Sequence, residues 1–299
     1  MVKSFDQLVE EVRSSSKRVI AVAVAQDLDV LEALCKTQRA KLASAILVGD
    51  KNKIEKIAKD HKLTLTDFDI IHIPEENAAV QKAIELINSG SANFLMKGLC
   101  STATLMKWVL NKDGGLRKGA LLSHLGLFQI STYYKLILMS DAALNISPTL
   151  EDKIAIVENA VGIAHRLGIL KPKVAMITAV EKINPSKMPA TVDAAVISKM
   201  GERGQIKNAI IDGPLAIDNA FSKKSCEIKG IKSQVGGNTD IAIVPDIESG
   251  NIFYKLLSCL AGAKTAGIIV GASVPIVLTS RADSDETKFL SIATAARVS

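Results

Sequence analysis

Residues 278–286 read LTSRADSDE and place a hydroxyl, a guanidinium and three carboxylates in one loop, between an apolar run and the start of a helix. Ser280 can donate to a developing oxyanion, and Arg281 offers a planar fork that binds an oxyanion through two N–H groups. Asp283 or Asp285 can serve as a general base. The same residues also suit a plain structural use, with Asp283 or Ser284 capping the helix and Arg281 paired to a carboxylate.

Three further loops combine similar groups. Met96-Lys97-Gly98 is followed by Cys100-Ser101-Thr102-Ala103-Thr104, where hydroxyls precede a helix whose first amides point outward. With Lys97 and Lys107, Ser101 and Thr102 either hold a phosphate at that helix terminus or cap a helix beside solvated lysines. Ser140-Asp141-Ala142-Ala143-Leu144-Asn145 leads into Ser147-Pro148, so that Asn145 sits on either a hinge that lines a cleft or a simple linker. Gly236-Gly237 in residues 235–240 permit close backbone approach, and Asp246 and Asn251 flank a helix start in residues 244–251. A ligand lying across both turns accounts for them better than capping alone. All four loops are expected at strand carboxyl ends, where open α/β sheets bind their ligands.

The elements that must position these loops alternate in type. Apolar runs at 18–25, 43–48, 69–73 and 93–97 are separated by amphipathic stretches at 27–40, 51–60 and 76–88. Continuous apolar strands between helices predict a mostly parallel, doubly wound sheet covered on both faces. Residues 119–140 break the pattern with two apolar runs around Ser131-Thr132 and read as an antiparallel, sheet-extending hairpin. The alternation restarts with a helix at 150–167, a strand at 173–178 and a helix at 191–200. Strands at 208–211, 241–244, 265–270 and 275–278 follow, with helices at 250–261 and 285–296. The restart predicts a second α/β domain from about residue 145.

Composition narrows the function classes. The 299 residues carry a net charge of +6, with 48% hydrophobic and only 4% aromatic residues. So few aromatics argue against a stacking platform for single strands, and the modest cation excess suits a small anion better than a nucleic-acid backbone. Cys35, Cys100, Cys226 and Cys259 are scattered among apolar neighbours, without metal-ligand spacing, as in a reducing cytoplasm. The longest apolar run, 266–278, contains two glycines and a proline and is too short to span a bilayer. No dinucleotide fingerprint, P-loop or GxSxG motif is present. The four histidines lack partners at ligand spacing, and His124, between small residues, is the one that invites testing.

Taken together and in order, four segments resemble the phosphate acetyl/butyryltransferase family. They are SDAALNISP (140–148), IDGPLAIDNAFS (211–222), VPDIESGNIFYK (244–255) and LTSRADSDE (278–286). The resemblance covers nearly the whole chain, and the wordings DGPLAIDNA and TSRADS sit nearer the butyryl than the acetyl members. It implies two α/β/α domains with the active site in a cleft between them, as in isocitrate and isopropylmalate dehydrogenases. Residues 1–144 and 281–299 would form one domain and 145–280 the other. The implied reaction is acyl-CoA plus inorganic phosphate giving acyl phosphate plus CoA, in a dimer or larger homo-oligomer. Coenzyme A is then a substrate, no metal or redox cofactor takes part, and no nucleic acid or membrane is a partner. Ser280 matches the family's catalytic serine, Arg281 its phosphate-binding arginine, and Ser101 and Thr102 its hydroxyl-rich loop.

Three positions depart from the acetyl enzymes' pattern. Lys107 and Ser258 or Cys259 stand where those enzymes carry arginines, and Thr287 where they carry an aspartate. A lysine replaces a fork by a point charge, and the loss of the second arginine leaves a more apolar wall. The base would then be Asp283, Asp285 or a group elsewhere. Two other classes stay open: a decarboxylating dehydrogenase on a related fold, and a CoA-binding regulator without turnover.

Overall fold

The computed structural model describes residues 2–119, 121–278 and 283–299. In chain order its first elements are α1 (Phe5–Arg13), β1 (Arg18–Ala23), α2 (Leu28–Arg39), β2 (Ala43–Gly49), α3 (Lys51–Asp60), β3 (Asp69–His72), α4 (Glu76–Asn88), β4 (Phe94–Lys97) and α5 (Thr102–Val109). The middle of the chain adds β5 (Ser123–Gln129), β6 (Ile137–Ser140), α6 (Leu150–Arg166), β7 (Lys173–Ile177) and α7 (Ala190–Glu202). It continues with β8 (Ile210–Leu215), α8 (Ile217–Phe221), α9 (Lys223–Ile228), β9 (Ile241–Ile243) and α10 (Ile247–Lys255), which runs into a π-helical segment, Leu256–Leu260. The chain closes with β10 (Lys264–Val270), β11 (Ile276–Val277) and α11 (Asp285–Val298).

These elements form two compact α/β units. One comprises Phe5–Gly119 and Thr265–Ser299, and the other Met1–Ser4 and Ala120–Lys264. The expected ranges were 1–144 with 281–299, and 145–280. Strand pairing explains the difference. β6 is parallel to β9, with Leu138 opposite Ile241, so the antiparallel β5–β6 hairpin joins the middle unit. β11 is parallel to β4, with Ile276 opposite Leu95, which returns residues from 265 onward to the first unit.

The strands of the first unit run in the order β3-β2-β1-β4-β11-β10. They are parallel except for β10, which is antiparallel to β11. α11 packs against α1 and α2, and α4 packs against α5. α11 is buried around most of its circumference, through Leu290, Ile292, Ala293, Ala295, Ala296 and Val298, and so lacks the stripe of a surface helix. Its buried Lys288 donates to Asp29 of α2 at 2.9 Å.

The middle unit runs β5-β6-β9-β7-β8. Beyond the hairpin every pairing is parallel. Phe128, Met139, Ala175, Leu215, Ala242 and Leu257 pack in its core. Thr149 and Asp152 form a reciprocal capping box that starts α6. α8 and α9 lie in a segment whose sequence pattern predicted no helix. They are short, and the Ser222 hydroxyl caps α9 by accepting from Ser225 N at 3.2 Å. Among the described residues no helix is long and apolar enough to cross a membrane.

Candidate functional site

Lys97 ends β4 opposite Ala23 of β1, so the chain leaves the sheet at its carboxyl end. Gly98 N and Leu99 N donate to the carbonyls of Ala23 and Val24, both at 2.8 Å, which draws the turn over the end of β1. Val24 holds φ of 59°, a left-handed conformation that is strained for a β-branched residue. Lys97 folds back, and its Nζ donates to Gly98 O at 3.0 Å. Ser101 caps α5 by accepting from Thr104 N at 2.9 Å, and exposed Thr102 is the first helical residue.

Two findings qualify this turn as an anion site. Glu76 Oε1 already accepts from Ser101 N at 3.3 Å, a carboxylate that sequence reasoning did not select. Lys107 lies in the last turn of α5, roughly 7.5 Å along the axis from Thr102, and its backbone does not share the helix start. Cys100 beside the turn is buried, which pushes its thiol up to about 11 and keeps it protonated near neutral pH.

β11 lies next to β4 and parallel to it, so both strands discharge their following loops at the same end of the sheet. Ser280 and Arg281 fall outside the described residues. Beyond them, Asp283 is half-buried and Asp285 is the exposed first residue of α11. Ser284 is the residue that caps this helix, accepting from Thr287 N at 3.1 Å. Thr287 Oγ1 is also 3.1 Å from both Ser284 Oγ and Thr265 Oγ1. Thr287 therefore belongs to the capping network, which ties the start of α11 to the amino end of β10.

In the middle unit the loop after β6 is organised by Asp141. This nearly buried carboxylate accepts from Ala143 N at 2.8 Å, Leu144 N at 3.0 Å, His124 N at 3.1 Å and Asn145 Nδ2 at 2.6 Å. Asn145 Nδ2 also donates to Leu122 O at 2.9 Å, so the amide donors of Asn145 serve the loop itself. The sequence reading placed Asp141 in this loop and gave the candidate role to Asn145, because the partners of Asp141 are mainly backbone amides. An aspartate followed by small residues at a strand end is the signal of such a self-bonded turn.

α10 closes on this loop. Asp246 caps it, accepting from Ser249 N at 2.8 Å and Ser249 Oγ at 2.7 Å, while Asn251 Nδ2 donates to Ala142 O at 3.2 Å. An open depression of about 500 Å³ lies between loop and helix. Asn145, Asp246 and Asn251 are thus gathered around one loop at the carboxyl ends of β6 and β9.

Gly236 and Gly237 are not gathered with them. They precede β9 and lie at its amino end, about 10 Å of strand away from Val244, whereas the sequence reading put them at a carboxyl end. Gly237 has φ of 69°, and a Cβ there would come within 2.4 Å of Lys223 N. The close approach that these glycines permit is to the protein's own α9.

A family model described as phosphate acetyl/butaryl transferase matches residues 4–80 and 74–296. The chain is 48% identical over 298 residues to phosphate butyryltransferase of Clostridium acetobutylicum, covering 100% of this chain and 99% of that one. It is 44% identical over 291 residues to phosphate acetyltransferase of Thermotoga maritima, covering 97% and 98%. The crystal structure of a branched-chain phosphotransacylase from Enterococcus faecalis superimposes with a TM-score of 0.84 at 34% identity, over 94% of this chain and 98% of that one.

Proposed function

We propose that this chain, which belongs to the phosphate acetyl/butaryl transferase family, is an acyltransferase that passes a butyryl group reversibly between coenzyme A and inorganic phosphate. Likeness along the full length to a phosphate butyryltransferase carries the acyl-chain choice. A phosphate oxygen attacks the thioester carbonyl, the tetrahedral oxyanion collapses, and CoA leaves as the thiolate. In reverse, a carboxylate takes the thiol proton and the thiolate attacks the acyl phosphate. Rate comes from holding two anionic substrates together and from donors aimed at the oxyanion.

Within this scheme Ser280 donates to the oxyanion and Arg281 forks onto phosphate. Asp283 or Asp285 takes the thiol proton. The adjacency of β4 and β11 supports grouping that loop with Lys97, Ser101 and Thr102. Coenzyme A acts as a substrate, and the chemical step uses no metal or redox cofactor. The enzyme works in the cytoplasm as a homo-oligomer, a setting consistent with three buried, unpaired cysteines.

A second reading, phosphate acetyltransferase, is favoured by the likeness to the Thermotoga enzyme. The ratio of kcat/KM for butyryl-CoA and acetyl-CoA, each with phosphate, separates the two. A strong acetyl preference would replace the first reading by the second, and no turnover of either thioester would remove both.

A further inference from the structure

Lys288 carries a charge in a place that does little for stability. It sits one turn into α11, four residues after the capping Ser284, where the positive end of the helix dipole opposes an ammonium. Its side chain is 4% exposed, so the charge is also largely stripped of water. Its acceptor is Asp29 Oδ2 at 2.9 Å, on a side chain that is 49% exposed and keeps much of its hydration. A buried lysine paired with a half-hydrated aspartate is a weak stabilising device. An apolar side chain of similar length would fill the same space without the desolvation.

What the pair does is join two helix starts. α2 follows β1 and α11 follows β11, and β1, β4 and β11 are parallel neighbours, so both helices begin at one end of the sheet. The start of α2 is itself fixed there. Ala25 N donates to Val48 O of β2 at 3.0 Å, and Asp27 caps α2 by accepting from Val30 N at 3.2 Å. Asp29 is thus referred to the sheet, and Lys288 passes that reference to α11. Thr287 beside it lies 3.1 Å from Thr265 and steadies the same turn. The far end of α11 is tied to α1 by Arg297, which donates to Glu11 at 2.9 Å.

Resting on the acyltransferase reading above, we propose that Lys288 is a positioning residue for that reaction: through Asp29 it sets where α11 begins. Asp285 at that start, and the residues just before it in sequence, carry the groups assigned to the chemistry. Lys288 acts through the helix start rather than by contact with a substrate. A displacement of about 1 Å in reacting groups can lower a rate about a hundredfold, so a charge that fixes a helix start has a use that stability does not supply.

The test is kcat, KM and Tm, with acyl-CoA and phosphate as substrates, in Lys288→Met, Lys288→Arg, Asp29→Asn and the double variant Asp29→Asn/Lys288→Met. Lys288→Met leaves behind only a half-exposed carboxylate, so its Tm should stay within about 4 °C of the wild type. Its kcat should fall about 10–100-fold, with KM for acyl-CoA within about twofold. Lys288→Arg keeps the charge and the reach and should recover most of that kcat. Asp29→Asn strands the buried ammonium and should have the lowest Tm of the set. The double variant should regain the Tm of Lys288→Met without regaining kcat. A kcat of Lys288→Met within about twofold of the wild type overturns the proposal. So does loss of folding in Lys288→Met, or a kcat that tracks Tm across the four variants, either of which makes the pair a structural tie alone. A wild type that turns over neither acetyl-CoA nor butyryl-CoA removes the acyltransferase reading along with this one. An active wild type with any of the contrary results removes this one alone.

Discussion

Gly250 lies so close to Asp141 that a Cβ on it would come within 2.5 Å of the Asp141 carbonyl oxygen and within 2.8 Å of Val244 Cγ2. Glycine inside a helix ordinarily costs about 1 kcal/mol relative to alanine, so a Gly→Ala change there usually stabilises. Here the sign should reverse. Gly250→Ala should lower stability by about 1–3 kcal/mol, because α10 must move off the loop or strain against it. Urea unfolding measures the loss, and kcat/KM should fall with it, since Asn251 and the 141–145 loop shift together. A more stable variant would show that the helix is not clamped.

Lys135 and Asp240 form a buried ion pair at 2.5 Å, and Lys135 also donates to Asn238 O and Oδ1 at 2.9 Å. Asp240 accepts from Lys173 N at 2.8 Å with its other oxygen. The pair holds the 236–240 turn at the amino end of β9, the opposite end from Val244 and Asp246. Lys135→Met should therefore cost about 3–5 kcal/mol of stability by stranding a buried carboxylate. KM for phosphate should stay within about twofold in the fraction that remains folded, a change of less than half a kcal/mol. A large rise in that KM at full folding would return the glycine turn to the binding site.

Glu75 caps α4 by accepting from Ala78 N at 2.6 Å and Asn77 N at 2.9 Å, and these bonds hold its carboxyl below the usual glutamate range. The folded-state pKa is depressed, so the stabilisation is present above the unfolded pKa and is lost as pH falls through the folded one. Glu75→Gln should be less stable than the wild type at pH 7. The gap between their Tm values should close as the pH drops below about 4. A gap independent of pH would mean that charge plays no part in this cap.

Substitution at Ser280 and Arg281 separates chemistry from binding. Ser280→Ala should lower kcat by about 10²–10³, the usual cost of one oxyanion donor, with CoA affinity kept. Arg281→Ala should raise KM for phosphate by more than it raises KM for acyl-CoA. Equal effects on both substrates would contradict a phosphate-specific role.

The fold was legible wherever local pattern and tertiary context agree. β2, α3 and α4 sit within a residue of their predicted limits, because Asp50 and Glu75 mark the helix starts and the strands are uninterrupted apolar runs. The division into units was less legible, since the partners of β6 and β11 are set by pairings across more than a hundred residues of sequence. The single helix predicted at 250–261 starts three residues earlier, at Ile247, and turns π-helical at Leu256, a change of winding that amphipathic spacing does not encode. At the site, chemistry-bearing residues stood out by type, while their direction along the sheet did not. Gly236-Gly237 and Asp246 look alike in sequence and stand at opposite ends of β9. Asp141, which organises its loop, and Glu76, which bonds to Ser101 N, were given no role because their partners are mainly backbone amides.

The most direct measurement is the initial rate of CoA thiol release from butyryl-CoA as a function of phosphate concentration. A phosphate acyltransferase should show a saturable dependence on phosphate, with stoichiometric butyryl phosphate and a rate near zero when phosphate is withheld. Thiol release that ignores phosphate, or no release at any phosphate concentration, would contradict the assignment.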